Sequence, residues 1–485
     1  MMAQADPHTV RITRRHREGL MKSHWDKSLV TIAYIGGGSL NWAAKLMGDM
    51  AHDGSVAAEI RLFDLDAESA KRNARLGTRI AEASKGAEVR YVASPTLADA
   101  LRGADFVIVS ILPGTLDEMA ADIEIPERYG IRQSVGDTVG PGGFVRAMRA
   151  IPMLAEIARA ISEHCPDAYV CNLTNPMSVL TGTLYKVFPE IRAWGECHEV
   201  TKLRHIIAWL ANRKAGRIAY TISDVEVNVL GINHFTFVDR AVVCGVDMMP
   251  DYLEFAREHR LDGWRATPLD RKDEHQRYFE DRNKVKFDLA CRFGIAAAAG
   301  DRHLAEFVPQ TWYLDRHEAF SFGLTPVEYR KRDQAAKKAR AKALEEGGDL
   351  PPIVPSDEAL VSQIKALAGG EPHVSNVNLP NRGQIAGLPL GAIVESNARF
   401  SGLGIQPLFA GRLPAGVELL VRPHAERQAA LLAAVLSERW DDLFELFVSD
   451  PLVAPIGPDR ALHMFREMVA ATAQFLPETA LGVSR

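Results

Sequence analysis

The stretch LVTIAYIGGGS, residues 29–39, constrains this chain more than any other. An unbroken apolar, β-branched run without alternation must be covered on both faces, as a strand inside a parallel sheet is. It ends in three glycines and passes into the helical pattern NWAAKLMGDMA. Backbone without Cβ atoms can turn sharply there and bring its N–H groups, and the positive end of the helix, against a pyrophosphate. Gly36, Gly37, Gly38 and Ser39 are therefore the expected cofactor-binding residues. The third glycine of G-x-G-x-x-G is replaced by Asn41, so the loop by itself is also compatible with a plain strand-to-helix turn. Asp64 adds the missing context: it ends the next apolar run, AEIRLFD, 28 residues after Gly36. An acid at that place accepts hydrogen bonds from the adenosine ribose and repels a 2′-phosphate, which favours NAD over NADP.

Strand-like and helical patterns continue to alternate through EVRYVAS, ADFVIVSI, FVRAMRAIPMLAEIARAISEH, DAYVCNLTN and IRAWGEC. Such alternation predicts an α/β fold with right-handed crossovers, a Rossmann-type doubly wound parallel sheet like that of lactate and malate dehydrogenases. We expect it to span residues 29–200. Beyond it, DVEVNVLGINHFTFVDRAVV alternates like antiparallel strands, and amphipathic helices and Pro/Gly-rich extended segments follow. Residues 201–485 therefore read as a second, α+β domain for substrate, metal and oligomerisation. Residues 1–28, rich in Arg and His, read as an N-terminal arm.

A formal net charge of −5 leaves no basic excess for nucleic acid or an anionic membrane, so a small molecule is the expected partner. No apolar run reaches the roughly 18 to 20 residues of a membrane span, and the first residues lack a signal-peptide core. The five cysteines include no C-x-x-C pair. These features fit a cytoplasmic protein.

Cys197 and His198 are adjacent at the end of the strand IRAWGEC, on the side of the sheet toward which a nicotinamide would extend. A thiolate and an imidazole are competent ligands for a divalent transition metal, and GINHF supplies another imidazole, His234. Taken singly, a strand cysteine is as well explained by the core and a histidine by a local hydrogen bond. Together with the glycine loop they suggest a metal near a redox cofactor.

The ordered set IGGGS, FDLD, GPGGFVRAMRAIP, NLTNP, GECHEV, GINHF and LPNRGQIAGLP…NARFSGLGIQPL resembles glycoside hydrolase family 4, the NAD- and divalent-metal-dependent glycosidases, from about residue 29 onward. The resemblance implies that Cys197 and His234 bind the metal, commonly Mn2+, and that His198 is the general acid. A Cys-His pair is similar to the branch acting on unphosphorylated α-glucosides, α-galactosides and α-uronides. It further implies that Asn172 contacts substrate hydroxyls, although an asparagine there also suits an Asx turn before Pro176. Asp137, in the loop SVGDTVGPGG, is another candidate substrate contact. The tyrosine that several members use as base is missing from KFDLACRFGIAAAAGDRHLAEFVP. Asp301 is the expected base, with His303, Glu306 and the earlier Tyr278 as alternatives; a helix-capping aspartate would explain the same residue. Arg302 could pair with a sugar carboxylate, or form a surface ion pair.

The implied reaction oxidises C3 of the sugar with NAD, removes the acidified C2 proton, expels the aglycone with a proton from His198, adds water at C1 and returns the hydride. A homodimer or homotetramer is the expected assembly. The rivals are a net NAD-dependent dehydrogenase of a sugar or hydroxyacid, which would release NADH, and a non-catalytic NAD-sensing protein.

Overall fold

The computed structural model describes residues 29–480 apart from Lys85, Arg271 and Pro351. The arm expected at residues 1–28 lies outside them. Six strands form the parallel part of the sheet: β1 (Val30–Ile35), β2 (Ala58–Phe63), β3 (Val89–Ala93), β4 (Phe106–Val109), β5 (Tyr169–Asn172) and β6 (Arg192–Gly195). Their order is 3-2-1-4-5-6, with parallel pairing at every step. This is the doubly wound arrangement, in which the order reverses between β1 and β4 and opens a crevice at their carboxyl ends.

The lack of alternation in β1 and β4 has the consequence drawn from it. Ala33, Ile35, Val107 and Val109 enter one apolar core, whereas Ile32, Tyr34, Phe106 and Ile108 enter another on the opposite face. Successive side chains of a strand point to opposite faces, and here both faces are covered by helices and later segments.

The sheet does not stop at residue 200. Strand His373–Pro380 joins β6 antiparallel through Asn378 and Gly195, and Ile393–Ser401 pairs with it along its length. The hairpin β7 (Val225–Ile232) and β8 (Phe235–Val243) continues the sheet from Ile393–Ser401, and Ala296–Ala297 completes it beyond β8. The change from parallel to antiparallel pairing falls between β6 and His373–Pro380, so residues far apart in sequence converge there. Asn233 and His234 form the turn of the hairpin, and His234 adopts φ 64°, the left-handed conformation that tight hairpin turns call for. Among the described residues no helix is long and apolar enough to cross a membrane.

Candidate active site

The glycine loop sits in the β1–β4 crevice. Gly36 has φ +89°, and a Cβ there would lie 2.0 Å from the carbonyl oxygen of Ser110, so the chain can turn at this point only without a side chain. Gly38 donates its N–H to Asp64 Oδ2 at 2.9 Å, and Asp64 Oδ1 accepts from Asp66 N–H at 2.9 Å. Asn73 holds the loop from below, donating to the carbonyls of Gly37 and Ser39 at 2.8 and 3.0 Å. Ser39 Oγ accepts from Trp42 N–H at 3.2 Å, while Asn41 makes no capping bond to helix Trp42–Asp53. A cradle that a Cβ would fill, an acid at the tip of β2 and a helix N-terminus behind them suit a dinucleotide.

A second group of residues meets at the hairpin turn. Ligand-competent atoms of Asp137, His234 and His303 all lie within 4.8 Å of one another. Thr138 Oγ1 is 2.7 Å from Asp137 Oδ1 and 2.9 Å from His234 Nδ1. Burial opposes ionisation of Asp137, but the positive charge that His303 and His234 carry when protonated, and that of Arg146, more than offset it and hold its carboxyl below the usual range. An ionised carboxylate only accepts, so the single hydroxyl proton of Thr138 goes to Asp137 and His234 must donate Nδ1–H to Thr138. That tautomer leaves the Nε2 lone pair of His234 free for a cation. Burial also keeps His234 and His303 below their ordinary pKa, His303 strongly so, and both rings are neutral donors. Nδ1 of His303 and Oδ1 of Asn175 are buried without a partner in the same region. Two imidazoles, a carboxylate and unsatisfied polar atoms fit a divalent transition metal.

The residues expected from sequence are distributed around this cluster as follows. His234 is in the cluster, but its companions are Asp137, expected at the substrate, and His303, an alternative base; Cys197 is not among them. Cys197 is buried just beyond β6, and burial together with Glu395 and Glu199 pushes its thiol well up, with nearby Asn233, the neighbour of His234, acting the other way. Asn172 is wholly buried and closed on itself: Oδ1 accepts from Thr174 N–H at 3.0 Å, and Nδ2 donates to Thr174 O and Thr181 Oγ1. The Asx turn accounts for it, and Asn175 in the same NLTNP is the asparagine that reaches Asp137, with Nδ2 3.2 Å from Oδ2.

Asp301 is likewise a cap. Its side chain is fully buried, Oδ1 accepts from Lys286 N–H at 2.9 Å, and burial with Asp281 nearby raises its carboxyl well above the usual range. A general base must be ionised and free to reach substrate. Arg302 forms no surface ion pair. Its Nε donates to Gly323 O at 3.0 Å and its Nη2 to Ser134 O and Thr325 Oγ1, at 2.8 and 2.5 Å, so it ties two loops together. Glu306 accepts from the N–H groups of Val135 and Gly136, and burial raises it to about 7. Tyr278 packs on Tyr329 and accepts a bond from Thr325 at its backbone oxygen.

His198 stands at the start of helix Glu199–Ala215 with its side chain 36% exposed, the most open of the expected catalytic residues. Its Nδ1 is 3.4 Å from Glu358 and its Nε2 3.8 Å from Glu199, and its ring leans on Trp42 at 5.7 Å. Glu199 went unnoticed in the sequence. Burial opposes its ionisation, but Lys202 and the surrounding histidines keep it well below the usual range, and it accepts the Gly300 N–H at 2.8 Å. It thereby joins the start of the His198 helix to the segment carrying His303.

The descriptions of family 4 glycosyl hydrolases match residues 31–212, and those of the family's C-terminal domain match residues 229–453. An α-galacturonidase of Thermoanaerobacterium saccharolyticum is 45% identical over 452 residues, 92% of this chain and 96% of that one. The crystal structure of a Bacillus subtilis protein described as a glucosidase superposes with a TM-score of 0.86 at 43% identity, covering 91% and 99% of the two chains. A 6-phospho-α-glucosidase from gut microorganisms, solved in complex with NAD and Mn2+, shares the fold at 18% identity and a TM-score of 0.76 over 93% of this chain and 99% of that one.

Proposed function

Because the chain belongs to glycosyl hydrolase family 4 and is therefore an enzyme that hydrolyses glycosyl bonds, we propose that it cleaves α-galacturonides with NAD and a divalent metal, Mn2+ by preference. The observation that carries the reading is that one chain holds two sites that direct displacement at C1 would not require: the glycine cradle with Asp64, and the Asp137, His234 and His303 cluster. The α-galacturonidase of T. saccharolyticum, at 45% identity, supports the uronide, and the NAD and Mn2+ of the gut 6-phospho-α-glucosidase support the cofactor pair.

The loop Gly36–Ser39 and Asp64 would hold the dinucleotide. His234 would be the shared metal ligand, joined by Asp137 and His303 and, on displacing its thiol proton, by Cys197. Bound, the pair supplies a hydride acceptor and a Lewis acid. The protein supplies the rest. Asn175, with Oδ1 unpartnered, is positioned to receive a substrate hydroxyl. His198, open to solvent on one side and flanked by Glu358 and Glu199, delivers a proton from its imidazole to the departing glycosidic oxygen. Trp42 limits the orientations of that ring. A soluble homo-oligomer in the cytoplasm remains part of this proposal.

The test is stoichiometric. Purified protein is given an aryl α-galacturonide with NAD and Mn2+ together and each omitted in turn, and both released phenol and NADH are followed. We expect many turnovers of phenol with both present, little without either, and no accumulation of NADH. One NADH per substrate consumed would instead favour the dehydrogenase.

A further inference from the structure

Three arginines converge on the loop that bears Asp137. Arg146 comes from helix Gly140–His164, Arg302 from the short helix Asp301–Leu304, and Arg330 from the first turn of helix Val327–Glu345. Asp137, Arg146 and Glu306 lie within electrostatic reach of Arg330; Asp137 and Asp122 lie within reach of Arg146; and Arg330, Glu306, Asp281 and Glu199 lie within reach of Arg302. Asp333, further along the helix of Arg330, is its other acidic neighbour.

These arginines are not equally occupied. Arg302 is committed to Gly323, Ser134 and Thr325. Arg146 donates Nε to the carbonyl of Asn175 at 3.2 Å, which holds it beside the asparagine that faces the cluster. Arg330 has its Nε buried without any partner. Asp137 is shared already, by Thr138 and Asn175, and Glu306 is bound to two backbone N–H groups. Arg330 thus keeps a buried guanidinium nitrogen without an acceptor, which carries an uncompensated desolvation cost. An anionic group entering beside Arg330 would relieve it.

We propose that Arg330, supported by Arg146, is the subsite for the carboxylate of a uronide, and so determines acidic against neutral sugars in this enzyme. The assignment rests on the α-galacturonide reading above and moves the recognition of the carboxylate from Arg302, whose Nε and Nη2 are bound to the protein, to the arginine whose Nε is not. A planar guanidinium takes a carboxylate through two parallel hydrogen bonds. A neutral hexoside would present a hydroxymethyl group instead and leave Arg330 unpaired, so the same residue that attracts the uronide rejects its neutral counterpart.

The test is calorimetric titration of D-galacturonate and D-galactose into protein saturated with NAD and Mn2+, for wild type, Arg330→Gln and Arg330→Lys, with thermal melting to check that each variant is folded. Wild type is expected to prefer galacturonate. In Arg330→Gln its affinity for galacturonate should fall at least about 10-fold, the loss of a charge-assisted pair, with galactose changed less than about 3-fold. Arg330→Lys, keeping the charge but not the paired donors, should fall between, and it decides the matter if the glutamine variant does not fold. A wild-type preference that survives in both folded variants overturns the role of Arg330 and leaves the uronide reading standing. A wild type without preference removes the uronide reading itself, and the subsite with it.

Discussion

Replacing Gly38 with alanine is the sharpest local perturbation of the cofactor cradle. The added Cβ would lie 2.7 Å from Ser69 Cβ and 2.8 Å from Asp64 Oδ2. Ser69 belongs to helix Ala67–Ala83, where its Oγ and N–H are both bound to Asp66, so it is poorly placed to retreat. The Asp64 carboxylate must move instead, breaking its 2.9 Å bond from Gly38 N–H. Overpacking of this kind costs about 1–3 kcal/mol, and loss of a hydrogen bond to a charged group about 1.5–3 kcal/mol. Part of the strain falls on the free protein, so only the displacement of Asp64 is charged against cofactor affinity. NADH should bind roughly 10- to 100-fold more weakly, at about 1.4 kcal/mol per tenfold. Fluorescence titration with NADH measures this directly. Gly48, in the helix that follows the loop, is the control: nothing lies within 4 Å of its would-be Cβ. Gly48→Ala should raise stability by up to about 1 kcal/mol through helix propensity without weakening NADH. Wild-type NADH affinity in Gly38→Ala would refute the placement of the ribose acceptor at Asp64.

Thr138→Val removes the hydroxyl that joins Asp137 Oδ1 to His234 Nδ1; Mn2+ should bind about 10- to 100-fold more weakly, as read from the paramagnetic resonance of free Mn2+, and unchanged binding would show that the tautomer of His234 is set elsewhere. His424, in the middle of helix Ala415–Leu436, is buried, with Nε2 2.7 Å from the carbonyl of Phe307 and Nδ1 3.2 Å from Arg427. Burial first, then Arg427, lowers its pKa from 6.5 to about 3. The unfolded chain therefore takes up a proton that the folded one refuses, and stability is lost as pH falls from about 6.5 toward 3, by about 2 kcal/mol already at pH 5. Denaturant unfolding of wild type and His424→Gln across that range should show a shallower acid slope in the variant; parallel slopes would contradict the assignment.

The parts of this molecule that depend on neighbours in sequence were open to reading from sequence. The apolar run of β1, the glycines behind it and Asp64 after β2 form one βαβ unit, and local periodicity reveals such a unit. The alternation of β7 and β8 and the position of His234 between them belong to the same class. What eluded sequence depends on contacts over long separations. Asn172 and Asn175 stand in one pentapeptide with equal chemistry, and only the sheet decides that the first is sealed beneath the Pro176 turn while the second meets Asp137. Asp301 and His303 lie two residues apart on a short helix, which turns the first into the cap of Lys286 and the second toward His234. Arg330 stands in the highly charged helix Val327–Glu345, and its nearness to Asp137 emerges only from the tertiary fold. The glycine cradle could be read as a sequence; the metal cluster and the arginines could not, because tertiary packing selects among chemically equivalent side chains.

The central claim is that the glycosidic bond is broken by way of transient oxidation of the sugar and loss of its C2 proton. Hydrolysis of an aryl α-galacturonide in D2O, with NAD and Mn2+ present, followed by nuclear magnetic resonance of the released sugar, tests it most directly. The account predicts deuterium at C2 of the product and none in a parallel incubation of galacturonate stopped before any turnover. A product that retains hydrogen at C2 after complete hydrolysis in D2O would contradict it.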